Sequence, residues 1–244
     1  MKLLLTNDDG IDGEGLKVLA EALRESGHEV TVFAPDCNNS AVSHKITMFS
    51  PVRAEKVDFD GIEAYAVSGS PADCVLLAVC GFFIKPDLVI SGINCGINLG
   101  SDVIYSGTVA GAMEGAQNGI PSLALSLGIR SRHTEIERSA FFARAASLTI
   151  EKLEEWANLA REVEGIVNVN FPVTEPKGYR FCSASRTNYQ TAYEEEEGGY
   201  RMRFNPPAPS EADGDIPLFC DGYVTVTPLK LNLTDEKTLE RWQK

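Results

Sequence analysis

Two adjacent carboxylates, Asp8 and Asp9, stand directly after a short apolar run, Lys2 to Thr6. Neighbouring carboxylates repel each other unless water screens them or a cation sits between them. At the end of a buried segment screening is poor, so a bound cation is one solution. The other is a turn in which the aspartates cap the next helix. Two more polar clusters follow apolar runs in the same manner: Asp36, Asn38, Asn39 and Ser40 after Glu29 to Ala34, and Asn94 and Asn98 after Asp87 to Ser91. Together they offer carboxylate, hydroxyl and amide oxygens. That set suits a hard divalent ion such as Mg²⁺ or Mn²⁺ and does not suit zinc. Agreement among three segments favours the cation over the turn.

Asn94 lies in a glycine-rich stretch, with Gly92, Gly96 and Gly100. Glycines let a backbone approach a ligand and present N–H groups to an anion. The spacing is neither G-x-G-x-x-G nor a Walker A loop, so dinucleotide and ATP-type readings are weak. Tyr105-Ser106-Gly107-Thr108 then leads into a helical pattern. Ser106 or Thr108 is a good N-cap, and a helix N-terminus is a ready phosphate site; an ordinary cap is the alternative. His44 is either a proton donor to a leaving group or a polar surface histidine.

The elements that must position these residues alternate. Strands are expected over Lys2–Thr6, Glu29–Ala34, Asp87–Ser91, Ser122–Leu127, Ile166–Asn170 and Tyr223–Thr227. Helices are expected from about Leu16 to a C-cap at Gly27, over Ala72–Phe83, over about Thr108–Asn118 and from Glu135 to about Leu159. This order predicts an α/β fold with a mainly parallel sheet covered on both faces. Ligands then bind at the carboxyl ends of the strands, where all three polar clusters fall. Near the C-terminus, Tyr179 to Tyr193 and Tyr200 to Phe204 flank Glu194–Gly199, which reads as a hairpin with an acidic tip. That hairpin is either an oligomerisation arm or an antiparallel extension of the main sheet. Asn205 to Asp215 reads as a loop.

With 244 residues, 43% of them hydrophobic, the chain suits one α/β domain over 1–244, with 179–219 a protruding hairpin and loop. Its 22 basic and 35 acidic residues leave a net charge of −13. Such a surface argues against long nucleic acids and anionic membranes as partners, but not against a small phosphate ester in one pocket. The six cysteines form no C-x-x-C pair, which predicts free thiols in a reducing compartment. No signal peptide or membrane span is apparent, so a cytoplasmic location is expected.

Taken in order, these segments resemble the SurE family of survival-protein phosphatases and nucleotidases. The likeness is carried by Thr6-Asn7-Asp8-Asp9-Gly10, Ala34-Pro35-Asp36 with Ser40, Gly69-Ser70-Pro71-Ala72-Asp73-Cys74, Ser91 through Asn98, Tyr105-Ser106-Gly107-Thr108-Val109 and Tyr223-Val224-Thr225-Val226-Thr227-Pro228. The resemblance implies a Rossmann-like, three-layer core and one divalent metal ion, Mg²⁺ or Mn²⁺. It implies hydrolysis of nucleoside 5′- or 3′-monophosphates, and a homodimer or homotetramer built partly by exchanged C-terminal elements. By position it implies Asp8, Asp9, Ser40 and Asn94 as metal ligands. Asn98, Ser106, Gly107 and Thr108 would surround the phosphate, with Asp8 and Asp9 catalytic. Two departures stand out. Cys37-Asn38-Asn39 replaces a run in which many members carry a basic residue, which argues against polyphosphate as substrate. Ala41 follows Ser40 where glycine is frequent.

Three rival readings remain. An aspartyl-phosphate enzyme would require Asp-x-Asp after the first strand, and here the acids are adjacent. A nucleotide-binding or stress-sensing module without catalysis uses the same residues. A purely structural oligomer leaves Asp8-Asp9 and the glycine-rich loop without a purpose.

Overall fold

The structure, a computed structural model, describes residues 1–130, 132–186, 190–205 and 213–243. Its first strand, β1 (Lys2–Thr6), buries Leu3, Leu4 and Leu5 almost completely. A strand covered on both faces has no reason to alternate polar and apolar residues. Helix α1 (Glu14–Glu25) buries Leu16, Leu19, Ala20 and Leu23, the single stripe that helical spacing provides. It stops at Ser26, and Gly27 follows at φ +86°. Next come β2 (Glu29–Pro35), β3 (Ala54–Val57) and β4 (Glu63–Val67). Neither β3 nor β4 is expected from the sequence. β3 is a four-residue edge strand, too short and too mixed for a periodicity to show.

Helix α2 (Pro71–Leu76) carries a capping box between Ser70 and Asp73 and widens into a π turn over Leu77–Gly81. β5 (Leu88–Cys95) runs past the expected end at Ser91. It continues through Gly92 because the Leu125 carbonyl lies 2.3 Å from where a Cβ would stand, a contact only glycine permits. A 3₁₀ turn over Gly100–Ile104 leads to α3 (Gly107–Gln117), followed by β6 (Ser122–Leu127). The long helix α4 (Glu135–Glu162) starts from a Thr134/Glu137 capping box and is followed by β7 (Gly165–Phe171).

The C-terminal third contains β8 (Tyr179–Phe181), β9 (Gln190–Glu196), β10 (Gly199–Asn205), α5 (Asp215–Cys220), β11 (Val224–Lys230) and α6 (Glu236–Trp242). The expected single arm from Tyr179 to Tyr193 is therefore two pieces, and β8 joins the edge of the main sheet. The hairpin β9–β10 forms its own two-stranded sheet, so it does not extend the main one. Glu194, Glu195 and Glu196 lie in the strand and only Glu197 in the turn, with Arg203 on Glu194 and both Arg201 and Arg203 on Glu196. Most of the expected 205–215 loop lies outside the described residues, and Asp215 opens α5.

Among the described residues the main sheet has nine strands in the order β3-β4-β2-β1-β5-β6-β7-β11-β8. From β4 through β7 all neighbours are parallel, while β3 runs antiparallel to β4, and β11 runs antiparallel to β7 and parallel to β8. Helices α1 and α4 cover one face and α2 and α3 the other, giving three layers. From β1 the chain first builds outward to β2 and β4, then returns to β5, β6 and β7. The order therefore reverses between β1 and β5, and their carboxyl ends form the crevice where such sheets bind ligands.

Candidate functional site

The chain leaves β1 at that crevice in a turn closed by Asn7. Asn7 Nδ2 donates to the Gly10 carbonyl (2.9 Å), and the Gly10 N–H donates to Asn7 Oδ1 (3.2 Å). Gly10 adopts φ +99°, and the Ile11 N–H reaches the Pro35 carbonyl at the end of β2 (2.8 Å). Asn7 is thus the turn former. The N-cap of α1 is Gly13, which provides no side-chain cap. Asp8 and Asp9 are therefore not spent on capping.

Asp8 is buried, and its Oδ1 accepts the Thr108 hydroxyl at 2.5 Å. The α3 terminus can come this close because residue 107 is glycine. A Cβ there would lie 2.8 Å from Asp8 Cβ and 3.1 Å from its Oδ2. Burial pushes the Asp8 carboxyl up from its ordinary value of 3.8 to about 6; the Asp9 charge adds to this, and the Thr108 hydroxyl and N–H oppose it. Burial also raises Asp9, against the Cys95 N–H, which donates to Oδ2 (2.9 Å), and the Arg138 charge. Arg138 reaches the site from the first turn of α4, where its Nε lies 3.6 Å from Glu14.

Residues 36–47 form a strap across the ends of α2 and α3. The Asn39 N–H donates to the Asp8 carbonyl (2.7 Å), and the neighbouring Ser40, exposed, donates its N–H to Asn38 Oδ1 (2.9 Å). Ser43 Oγ donates to the Ile104 carbonyl (2.7 Å). His44 Nε2 lies 2.8 Å from Glu114 on α3, so the histidine serves as a tether rather than a free surface group. At the far end Ser70 Oγ donates to the Lys45 carbonyl (2.5 Å), and Asp73 accepts both the N–H (2.7 Å) and the hydroxyl (2.8 Å) of Thr47. Ala41 and Ser43 sit at φ +58° and +57°. The first of these shows what a glycine at position 41 would relieve.

On the β5 side, Asn94 Nδ2 donates to the Gly96 carbonyl (3.1 Å), leaving the amide oxygen as the group available to a ligand. Asn98 is held on all sides. Its N–H donates to Asn170 Oδ1 (2.8 Å) and its Nδ2 to Ser126 Oγ (2.8 Å), while its carbonyl accepts from Asn168 (2.8 Å) and Asn170 (3.1 Å). Ser106 Oγ accepts the Val109 N–H (3.0 Å), so Ser106 is the N-cap of α3. The Thr108 hydroxyl is spent on Asp8 instead.

The fold therefore brings Asp8, Gly107 and Thr108 into contact, sets Asp9 against the strand end carrying Asn94, and ties Ser40 to Asp8 through Asn39. Among the described residues no three His, Cys, Asp or Glu side chains converge as a metal cage. One buried and one half-buried carboxylate with neutral amide and hydroxyl oxygens nearby fit a hard divalent ion that keeps several waters, and no softer one. Arg138, Asp73, Glu114, Asn168 and Asn170 escape sequence reasoning. Asp73 stands in the Gly69–Cys74 segment, but nothing there shows its hold on Thr47, and the other four sit in no motif of their own chemistry. The six cysteines are free, and among the described residues no helix is long and apolar enough to cross a membrane.

The family model described as Survival protein SurE matches residues 3–191. The 5′-nucleotidase SurE of Desulfitobacterium hafniense is 41% identical, covering 96% of this chain and 93% of that protein. The 5′-nucleotidase SurE 1 of Thermus thermophilus is also 41% identical, over 98% of this chain and 96% of its own. The crystal structure of the SurE protein from Aquifex aeolicus superposes with a TM-score of 0.80 at 35% identity, covering 99% of this chain and 98% of that one.

Proposed function

Because the chain belongs to the SurE survival-protein family, we propose that it is a divalent-metal-dependent phosphomonoesterase. Its substrates would be nucleoside 5′-monophosphates, and 3′-monophosphates as a second class, cleaved to nucleoside and phosphate. The observation that carries this reading is the pair of adjacent carboxylates at the switch point of the sheet, Asp8 buried against the N-terminus of α3 and Asp9 half-buried against the end of β5.

Asp8, Asp9, Ser40 and Asn94 would hold one Mg²⁺ or Mn²⁺ through oxygen. When bound, that ion supplies Lewis-acid polarisation of the phosphoryl group. The protein does the rest. Asp8 or Asp9 orients the attacking water and accepts its proton. Asn98, fixed by Ser126 and Asn170, offers a preorganised amide, and the N-terminus of α3 at Ser106-Gly107-Thr108 favours phosphoryl oxygens. Water adds to phosphorus, the ester bond to the sugar oxygen breaks, and the proton ends on that oxygen. Adjacent acids without the Asp-x-Asp spacing support direct attack over an aspartyl-phosphate. The hairpin β9–β10, with Tyr193, Tyr200 and Met202 exposed outside the main sheet, supports a homo-oligomer as the working form.

The test is phosphate release from a panel of nucleoside 5′- and 3′-monophosphates, by wild type and Asp9→Asn, with EDTA, Mg²⁺ or Mn²⁺. Metal-dependent release that collapses in the folded variant is the expected result. Saturable nucleotide binding without release under any metal would replace this reading with that of a binding module.

A further inference from the structure

Asp215 is fully buried, although no motif singles it out and the proposed chemistry does not use it. Its two carboxylate oxygens serve different parts of the molecule. Oδ2 accepts the N–H of Gly100 (2.8 Å), and Oδ1 accepts the N–H of Ser185 (2.8 Å). Ser185 precedes the hairpin in the chain and Asp215 follows it. Two more bonds close the same junction: the Asp215 N–H to the Ser183 carbonyl (2.9 Å) and the Ile216 N–H to Ser185 Oγ (3.3 Å). Gly214 completes it, since a Cβ there would stand 2.3 Å from Ser185 Oγ. One carboxylate thus joins the base of the C-terminal arm to the first residue of the 3₁₀ turn.

That turn stands between two groups assigned to the phosphate. Asn98 lies two residues before Gly100, and the turn delivers the chain to Ser106, Gly107 and Thr108. The Asp102 N–H bonds the Leu99 carbonyl (3.1 Å), and the Tyr105 N–H bonds the Asp102 carbonyl (2.9 Å), so the segment moves as a unit. The asparagines of β7 hold Asn98 from one side, and Asp215 holds Gly100 from the other. We infer that Asp215 is a positioning residue that couples the base of the C-terminal arm to the phosphate-side loop. It acts through the Gly100 N–H to set Asn98 and the start of α3. This rests on the phosphate site proposed above.

Three proteins test it: wild type, Asp215→Asn and Gly214→Ala. The amide replaces one acceptor oxygen with a donor that cannot accept an N–H. The alanine shifts the junction while keeping the carboxylate, and it carries the test should the Asn variant not fold. Hydrogen exchange over Gly100–Ile104 is compared with exchange in β1 and β5, and the affinity for inorganic phosphate is measured by calorimetry with Mn²⁺. Losing a buried hydrogen bond to a charged group should speed exchange of the turn by about tenfold or more while β1 and β5 stay protected. Phosphate affinity should weaken by about fivefold to tenfold, with KM for nucleotide rising in parallel. Unchanged exchange at the turn, unchanged phosphate affinity, or a fall in kcat alone would overturn the coupling. Wild type that releases no phosphate from any nucleotide would overturn the nucleotidase reading alone, because the exchange and phosphate-binding results do not depend on turnover.

Discussion

The carboxyl ends of β1 and of β6 and β7 lie on one edge of the same sheet, and they are built from opposite chemistry. At β1 two adjacent acids stand together, Asp8 buried and Asp9 half-buried, and desolvation raises both from their ordinary value. At β6 and β7 Ser126, Asn168 and Asn170 surround Asn98 with neutral donors and acceptors that answer one another. The first region is electrostatically unfavourable by itself and gains from a cation. The second carries no charge and pairs its groups around Asn98, leaving Asn168 Oδ1 without a partner among the described residues. A site that must bind charge and still hold its shape needs both, and here the two tasks fall to different strands.

Asp8→Asn should separate them most sharply. Removing the charge should lower metal-dependent phosphate release by roughly 10²-fold to 10³-fold. In EDTA near neutral pH the same change should stabilise the protein. An acid whose pKa is raised on folding binds protons more tightly in the native state. The native state therefore loses stability as pH rises from 3.8, the ordinary value, through about 6. For Asp8 that loss amounts to about 3 kcal/mol above pH 6. Urea unfolding of both proteins across this window isolates the difference from the other carboxylates. If Asp8→Asn is the less stable protein at pH 7 without metal, the contrast between the two regions is wrong.

Gly107→Ala attacks the same region through shape. The new methyl would meet Asp8 Cβ at 2.8 Å and Val42 at 3.1 Å, so Asp8 or the strap must move. Phosphate release should fall by about 10-fold to 100-fold, since a misplacement near 1 Å costs that much. Stability should fall by about 1–3 kcal/mol. Asn170→Ala works on the neutral region and should reverse the balance. It strips two hydrogen bonds from Asn98 and leaves buried groups unpaired, which costs about 1–3 kcal/mol at any pH. The metal ligands keep their charge, so metal affinity by calorimetry should match wild type. A variant that loses metal binding instead would merge the two regions into one.

The sequence shows the charged region far better than the neutral one. Asp8-Asp9 announces itself by repulsion at the end of an apolar run, and the Gly107 terminus by its cap. Strands such as Ser122–Leu127 are legible because burial on both faces demands continuous apolar residues. Asn168 and Asn170 carry no such signal, since an asparagine inside a strand looks the same whether it braces a loop or faces water. The strap anchor Glu114 and the cation Arg138 are equally silent, and Asp73 shows its motif but not its hold on Thr47. Their partners lie far along the chain, and only the order of the strands brings them together. Gly92 misleads for a related reason. Glycine reads as the end of β5, while its real role is to let the strand pass the Leu125 carbonyl.

The smallest test concerns the strap that links the two acids to the helices. Ala41 stands at φ +58°, a conformation that disfavours a Cβ by about 1–2 kcal/mol. Ala41→Gly would remove that strain and add flexibility to the unfolded chain, an opposing effect of about 0.4–1 kcal/mol. The expected balance is a stabilisation of about 0.5 kcal/mol, seen as a rise in Tm of about 1–2 °C. Because Asn39, Ser43, His44 and Thr47 already fix the strap at separate points, KM should change by less than about twofold, in line with the small effect of a surface change away from any buried network. A loss of activity beyond about tenfold, or 1.4 kcal/mol, would show that the left-handed alanine holds Ser40 where the acids need it. The strap would then belong with the rigid asparagine region rather than with the carboxylates it covers.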